Sequence, residues 1–422
     1  MANDQPAASN GAEQSRLHPE LLILIGGLVA TAHASIMVTL PAMPRFIDSI
    51  GGTGFALGLS FSASFIGRFV TNIPAGLLSE RIGRKPVILT GAIGIAVFAT
   101  LTGTANDVPA LLIYRLLMGV FSAMTITVAN VAATDLSRVE NRGRVLGMLH
   151  GMQLIVGIFT PSLGGFVGEF VDIRAPFLWS GSGIAVMAVW ALARLPETRP
   201  ARARGEAEGK AAKGGGRFAS LALLRDPSFF MVCVLGFSTF FLRGGAFTTL
   251  IPLFADQVLG AGPAVLGILF TVASVLHGVL VYPAGAIADR FGRKPVIVPA
   301  GIVVGLGMAA FPFGTTMLTF VLIFFFFHAA TGFSGQAPVA YLGDLAPAHL
   351  RGMSFGLYRT FGDMAGIVAP VIATGLAETI SFHAAFFFNG VLWLVTLLFF
   401  SRIAVETAGR NDKRREARVA AD

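Results

Sequence analysis

Nine ionisable side chains fall inside stretches that are otherwise apolar: Arg68, Arg115, Arg243, Arg359, Asp363, His33, His150, His277 and His328. A mid-helix arginine in a membrane costs about 2.5–3.5 kcal/mol on insertion scales, so four of them call for a wet cavity or polar partners. Asp363 is the one acid placed well inside such a stretch. It follows Arg359 by four residues, so the two share a helix face. They either neutralise each other there or act as coupled sites in a cavity, and the sequence leaves both readings open. Arg115 lies nearer a membrane surface, where it can snorkel or pair with a neighbouring helix. The four histidines could carry protons near neutral pH. A hydrogen bond within a helix bundle is the more ordinary role for any one of them, but four together imply that at least one faces a cavity. Ser60, Ser64, Arg68 and Asn72 recur at a spacing of four, which gives one helix a polar face. Thr271, Ser274 and His277 do the same on another helix, and His150 with Gln153 on a third.

The elements that carry these groups are membrane helices. Of the 422 residues, 54% are hydrophobic and 13% charged, with a mean hydropathy of +0.74, which a soluble fold could not bury. Apolar runs long enough to cross a ~30 Å hydrocarbon core predict helices over 21–44, 54–79, 87–105, 108–133, 145–169, 174–195, 228–254, 262–288, 296–314, 317–342, 353–377 and 383–402. The first exceeds the apolar core of a cleaved signal and is expected to be retained. The single cysteine, Cys233, excludes an intrachain disulfide and a cysteine-based metal site, and no metal or cofactor is expected. Of 31 Lys and Arg residues, 25 lie in the tails or in loops after even-numbered helices, only Arg45 and Arg174 in loops after odd-numbered ones. This bias predicts a multi-pass protein of the inner (plasma) membrane with both termini cytoplasmic, and it explains the +8 charge without nucleic acid.

The stretch "GLLSERIGRKP" at 76–86 returns as "GAIADRFGRKP" at 285–295. The same offset of 209 residues relates Pro74 to Pro283, Asp135 to Asp344, Gly157 to Gly366, Pro161 to Pro370 and Glu169 to Glu378. It also makes His277 the counterpart of Arg68, and Arg359 that of His150. Such a repeat predicts an all-α polytopic fold of two six-helix bundles related by a pseudo-twofold axis along the membrane normal, with a substrate site between them. The expected divisions are an N-tail at 1–20, bundles at 21–195 and 228–402, a cytoplasmic linker at 196–227 and a C-tail at 403–422. The Ala-, Gly- and charge-rich 199–217 reads as flexible linker.

Gly76, Leu78, Arg81, Gly83, Arg84 and Lys85, with Gly285, Asp289, Arg290, Gly292, Arg293 and Lys294, resemble the doubled signature loop of the major facilitator superfamily, with Glu80 in place of the usual Asp. Asp135 and Asp344 stand where helices 4 and 10 leave the membrane, within range of Arg84 and Arg293. The resemblance implies such pairs, with Glu80 and Asp289 meeting a helix N-terminus of the opposite half as a latch that breaks when the halves rock. "GIFTPSLGG" at 157–165, with Gly157, Pro161, Gly164 and Gly165, resembles the antiporter motif of the 12-helix drug:proton branch, Thr160 replacing a glycine. For Gly164 and Gly165 close helix packing is the expected role. Arg115 and Gly119 resemble the RxxxG motif of those exporters. Helix 1 lacks the acid that many of them carry and has His33 in "ATAHASIMV" instead.

The expectation is a secondary transporter, acting as a monomer in the lipid bilayer, that moves a small organic solute outward in exchange for protons. Arg68 and Arg243 are its candidate anchors for an anionic group. An importer or facilitator of organic acids fits the cationic cavity equally. A receptor of this fold would be expected to carry a sizeable soluble signalling domain. An enzyme is not expected, since HExxH, GxSxG, P-loop and paired-carboxylate patterns are absent.

Overall fold

A computed structural model of the chain describes residues 19–137, 141–198, 223–334, 337–346 and 351–407. Most of the linker, the N-tail and the end of the C-tail lie outside the described residues. Those described hold 12 helices long and apolar enough to span a membrane. They are α1 (Glu20–Met37), α2 (Gly54–Ile82), α3 (Arg84–Thr102), α4 (Val108–Asp135), α5 (Arg144–Phe170), α6 (Ala175–Arg194), α7 (Pro227–Leu259), α8 (Pro263–Phe291), α9 (Lys294–Phe313), α10 (Met317–Leu345), α11 (Met353–Thr379) and α12 (Phe382–Ile403). The two halves, α1–α6 and α7–α12, meet along two seams, α2 against α11 and α5 against α8.

Two predicted elements differ in kind from those observed. Helix 1 ends at Met37 instead of 44, because Pro41 and Pro44 each remove a backbone donor; turns follow, then a short helix at Met43–Ser49. Helix 7 runs on to Leu259, but its middle, Arg243–Leu250, is a π-helix. The wider turn holds Gly244 and Gly245 and precedes Pro252. Such segments concentrate at functional sites.

Helices α2 and α8 overrun their predicted ends and stop at Gly83 and Gly292, where φ is +108° and +110°. An L side chain is strained in that region, so the sharp turn into α3 or α9 needs glycine. With 29 residues, each helix is about 43 Å long, longer than the ~30 Å hydrocarbon core, and its arginine-bearing end reaches past the bilayer.

The two ends of the molecule are packed differently. At the end opposite the arginine loops, called here the far end, one hydrophobic cluster runs across both halves and joins Leu40, Phe46 and Phe61 to Leu253, Phe254 and Phe270. There a Cβ on Gly58 would meet the Pro370 carbonyl, and one on Gly267 the Pro161 carbonyl, the same contact twice at an offset of 209. Toward the arginine-rich end, a Cβ on Gly76, Gly147, Gly285 or Gly356 would meet nothing within 4 Å. The halves are closed together at the far end and parted at the arginine-rich end.

Candidate functional site

The α2–α11 seam brings the polar residues together. Asp363, whose side chain is 5% exposed, lies 3.5 Å from Arg359 Nε on its own helix and 3.8 Å from Arg68 Nη2 across the seam. Its Oδ2 accepts a hydrogen bond from Asn72 Nδ2 at 3.1 Å, while Asn72 Oδ1 accepts one from Thr127 of α4 at 2.8 Å. The carboxylate pairs within its helix and also ties the two halves together. Arg68 leans over the Phe65 ring and Arg359 over Phe240.

Arg243, on the π segment, lies close enough to Arg359 to interact with it electrostatically. Arg243 and Arg68 both act on His33, and Arg243 acts on His277. His33 also sits against Gly157, since a Cβ there would lie 3.7 Å from its Nε2. The outcome is a polar cluster from α1, α2, α7, α8 and α11, in which Arg68 and Arg359 pair with one carboxylate and Arg243 lies close to Arg359.

Several predicted members fall elsewhere. Arg115 is fully buried but away from the cluster. Its Nη2 reaches Thr39 Oγ1 at 3.4 Å and Met43 Sδ at 3.3 Å, its guanidinium lies over Phe61, and its Nε has no partner. Snorkelling does not occur. His328 bonds the Phe324 carbonyl through Nδ1 at 2.8 Å and is caged by Phe247, Phe324 and Phe327, with its Nε2 buried and unpaired among the described residues and His277 within electrostatic range. Among the described residues His150 bonds the carbonyl of Leu146 in its own helix, and no described cluster side chain bonds Gln153. On helix 2, Ser64 bonds the Arg115 carbonyl of α4, so the upper part of that polar face serves packing. Thr271 likewise serves the α5–α8 seam, bonding Ile158 O and accepting from Ser162, each at 2.7 Å.

In the helix 5 motif, Pro161 offers its carbonyl to Gly267 across the seam. Gly164 packs on the Val38 carbonyl after α1, and Gly165 on the Pro263 carbonyl of the opposite half. Close approach is what these glycines provide.

The signature loops are built as predicted in one respect and not in another. Arg84 Nε bonds Asp135 Oδ2 at 3.2 Å and its Nη1 bonds Ser79 at 2.7 Å; Arg293 Nε bonds Asp344 Oδ2 at 3.1 Å. Both pairs are intact although this end is open, so they fasten each half internally and do not break on opening. Asp289 pairs with Arg293 four residues on, and Glu80 is exposed and makes no ion pair among the described residues. Arg290 lies over the ring of Phe291. Burial alone would lower the Arg293 pKa, but hydrogen bonds to Asp344 and Asp289 outweigh it and hold the group above the ordinary arginine value.

Two residues of this region escaped the sequence reading. Glu197 accepts hydrogen bonds from the backbone N–H groups of Arg84 and Lys85, and Glu406 from those of Arg293 and Lys294. These carboxylates cap the first turns of α3 and α9, where the helix dipole favours negative charge. Their offset of 209 was the signal available.

Arg84→Ala is expected to lower stability by about 3 kcal/mol, because Asp135 and Ser79 lose a partner that is 9% exposed. Arg293→Ala is expected to cost less, about 1 kcal/mol, since Asp289 is 68% exposed. Thermal unfolding in detergent tests the order; equal losses would contradict it.

The Major Facilitator Superfamily model matches residues 24–262 and, again, 241–421. The chain belongs to this superfamily. Two matches, the second beginning within α7, agree with the repeat and with the paired seams. Among superfamily relatives, "Multidrug resistance protein 2" of Bacillus subtilis (strain 168) is 23% identical over 378 residues, 89% of this chain and 93% of its own. "Multidrug resistance protein MdtG" of Enterobacter lignolyticus (strain SCF1) is 23% identical over 377 residues, 87% of this chain and 88% of its own. Of solved superfamily structures, the D-xylose-proton symporter superposes with a TM-score of 0.75 at 16% identity, covering 93% of this chain and 99% of that one. The human organic anion transporter MFSD10 (TETRAN) gives 0.64 at 17% identity, covering 90% and 99%. These likenesses establish the fold. The chain is a membrane transporter of small molecules and not an enzyme.

Proposed function

We propose that the protein exports a small organic solute with an anionic group, in exchange for protons, by alternating access around the Asp363 cluster. The observation that carries the reading is the cluster itself: Arg68 and Arg359 paired with one buried carboxylate that bridges the halves, with Arg243 close to Arg359. A surplus of positive charge in a low-dielectric cavity favours an anion. Asp363, an acid set well inside a membrane helix, is the candidate proton site of this reading, and His33, close to Arg68 and Arg243, stands on helix 1 where other exporters of this type carry an acid. The names of the curated relatives support outward movement of drug-like molecules.

In this reading the arginine-rich end is cytoplasmic by the positive-inside rule, with both termini on that side of the inner membrane. The state described here is then open to the cytoplasm, ready to load a solute for export. One chain holds both halves and the whole cluster, so the monomer is the functional unit.

Efflux from liposomes of radiolabelled organic anions and of lipophilic cations tests the substrate class. Arg243→Gln is expected to raise KM for the anions about tenfold or more, the loss of one charge-assisted hydrogen bond. Equal transport of lipophilic cations, with KM values that do not respond to Arg243, would contradict it.

A further inference from the structure

The N-termini of α2 and α8 lie at the far end, and neither is capped from within its own half. The residue before α2, Thr53, makes no side-chain cap hydrogen bond, and neither does the residue before α8, Gly262. The cap comes from across the seam in both cases. Phe55 N donates to Glu378 Oε2 at 2.7 Å, at the end of α11, and Ala264 N donates to Glu169 Oε2 at 2.8 Å, at the end of α5. Donor and acceptor are both displaced by 209, so one contact occurs twice about the pseudo-twofold axis.

We infer that Glu169 and Glu378 are positioning residues of the transport cycle, paired far-end latches whose release accompanies opening of that end. The inference rests on the alternating-access reading above. Each carboxylate satisfies an orphan N–H and meets the positive end of a helix dipole, and it can do so only while the halves touch. Opening the far end must therefore uncap two helices at once. A cavity of about 420 Å³ lined in part by Asp48, Asp256 and Glu378 lies beside the α2 cap, so a released carboxylate finds water there. A further ionic contact across this end, Arg45 with Asp256 at 2.8 Å, has an arginine 41% exposed and contributes less.

The seat of Glu169 supports the assignment. A Cβ on Gly262 would strike the Glu169 carboxylate, so glycine leaves room for a cap from the other half. The backbone at Gly262, φ −70° and ψ 166°, would suit an aspartate that capped the helix locally. That difference separates a latch from a mere helix cap.

The test is the distance between spin labels at Arg144→Cys, at the start of α5, and Phe291→Cys, at the end of α8, in full-length protein carrying Cys233→Ala in lipid nanodiscs. Both label sites are exposed and lie in opposite halves at the arginine-rich end. Closing that end shortens the distance as the far end opens. Glu169→Ala with Glu378→Ala is expected to raise the short-distance population relative to the long one about fivefold per cap lost, roughly 25-fold together. Adding Gly262→Asp and Thr53→Asp restores a cap within each half. It is expected to recover thermal stability while the short-distance population stays high. An unchanged distribution in the double variant, or a return to the wild-type distribution with local caps, would overturn the inference. A single distance in every variant, including the seam variant Gly58→Val, would overturn the alternating-access reading on which it rests.

Discussion

Gly58→Val combined with Gly267→Val is expected to prise the far end apart and to lower transport turnover at least tenfold. A Cβ at Gly58 would run into the carbonyl of Pro370 and the hydroxyl of Thr374, and one at Gly267 into the carbonyl of Pro161 and the Cα of Ser162. Most of these are backbone atoms of a packed helix and cannot swing aside. Overpacking of this kind costs about 1–3 kcal/mol per site, so two sites shift the balance between far-end-closed and far-end-open states roughly 30-fold or more. The chain would still fold, because the strain is relieved when the halves part. The spin-label distance at the arginine-rich end should shorten in the same variant that loses turnover. Lost turnover with an unchanged distance would mean that the valines damage the fold and not the seam.

Asp363→Ala is expected to lower stability by about 3 kcal/mol, as much as Arg84→Ala, read as a fall in melting temperature. Asp363 is nearly fully buried, and its removal leaves Arg68, at 17% exposure, without a counter-charge. Breaking a buried pair by deleting one partner costs about 3–5 kcal/mol. The lower figure applies because Arg359, at 51% exposure, can turn to water. Asp363→Asn keeps an oxygen for the Asn72 amide and nearly the same volume, so its melting temperature should fall less. It removes the proton site all the same. The two variants separate structure from coupling: alanine tests the first, asparagine the second. Equal melting temperatures for wild type and Asp363→Ala would show that the carboxylate is not holding the arginines.

Much of this was legible in the chain. The 209-residue offset carried the two-bundle fold, and the turn glycines Gly83 and Gly292 stood where their positive φ values now explain them. Arg84 with Asp135 and Arg359 with Asp363 could be paired because each lies within one half, where helix order fixes neighbours. The contact of Asn72 with Asp363 could not. Its partners are 291 residues apart, and the distance depends on how the halves lean, which periodicity does not encode. The caps from Glu169 and Glu378 stayed hidden for the same reason, although the repeat had aligned them. The π turn at Arg243 escaped because local composition gives a wider helical turn no mark beyond its glycines. The packed surroundings of Arg115 and His328 were not foreseen, because their helix-centred positions look the same in sequence whether a side chain faces a cavity or a packed neighbour.

The most direct test of the central claim is proton movement in liposomes that hold a pH-sensitive dye, driven by a gradient of an organic anion the wild type carries, with Asp363→Asn run in parallel. The account predicts anion-dependent proton flux in the wild type, and in Asp363→Asn its loss from a protein that remains folded. Anion flux without proton movement, the same in both proteins, would contradict it and describe a facilitator whose buried carboxylate only balances charge.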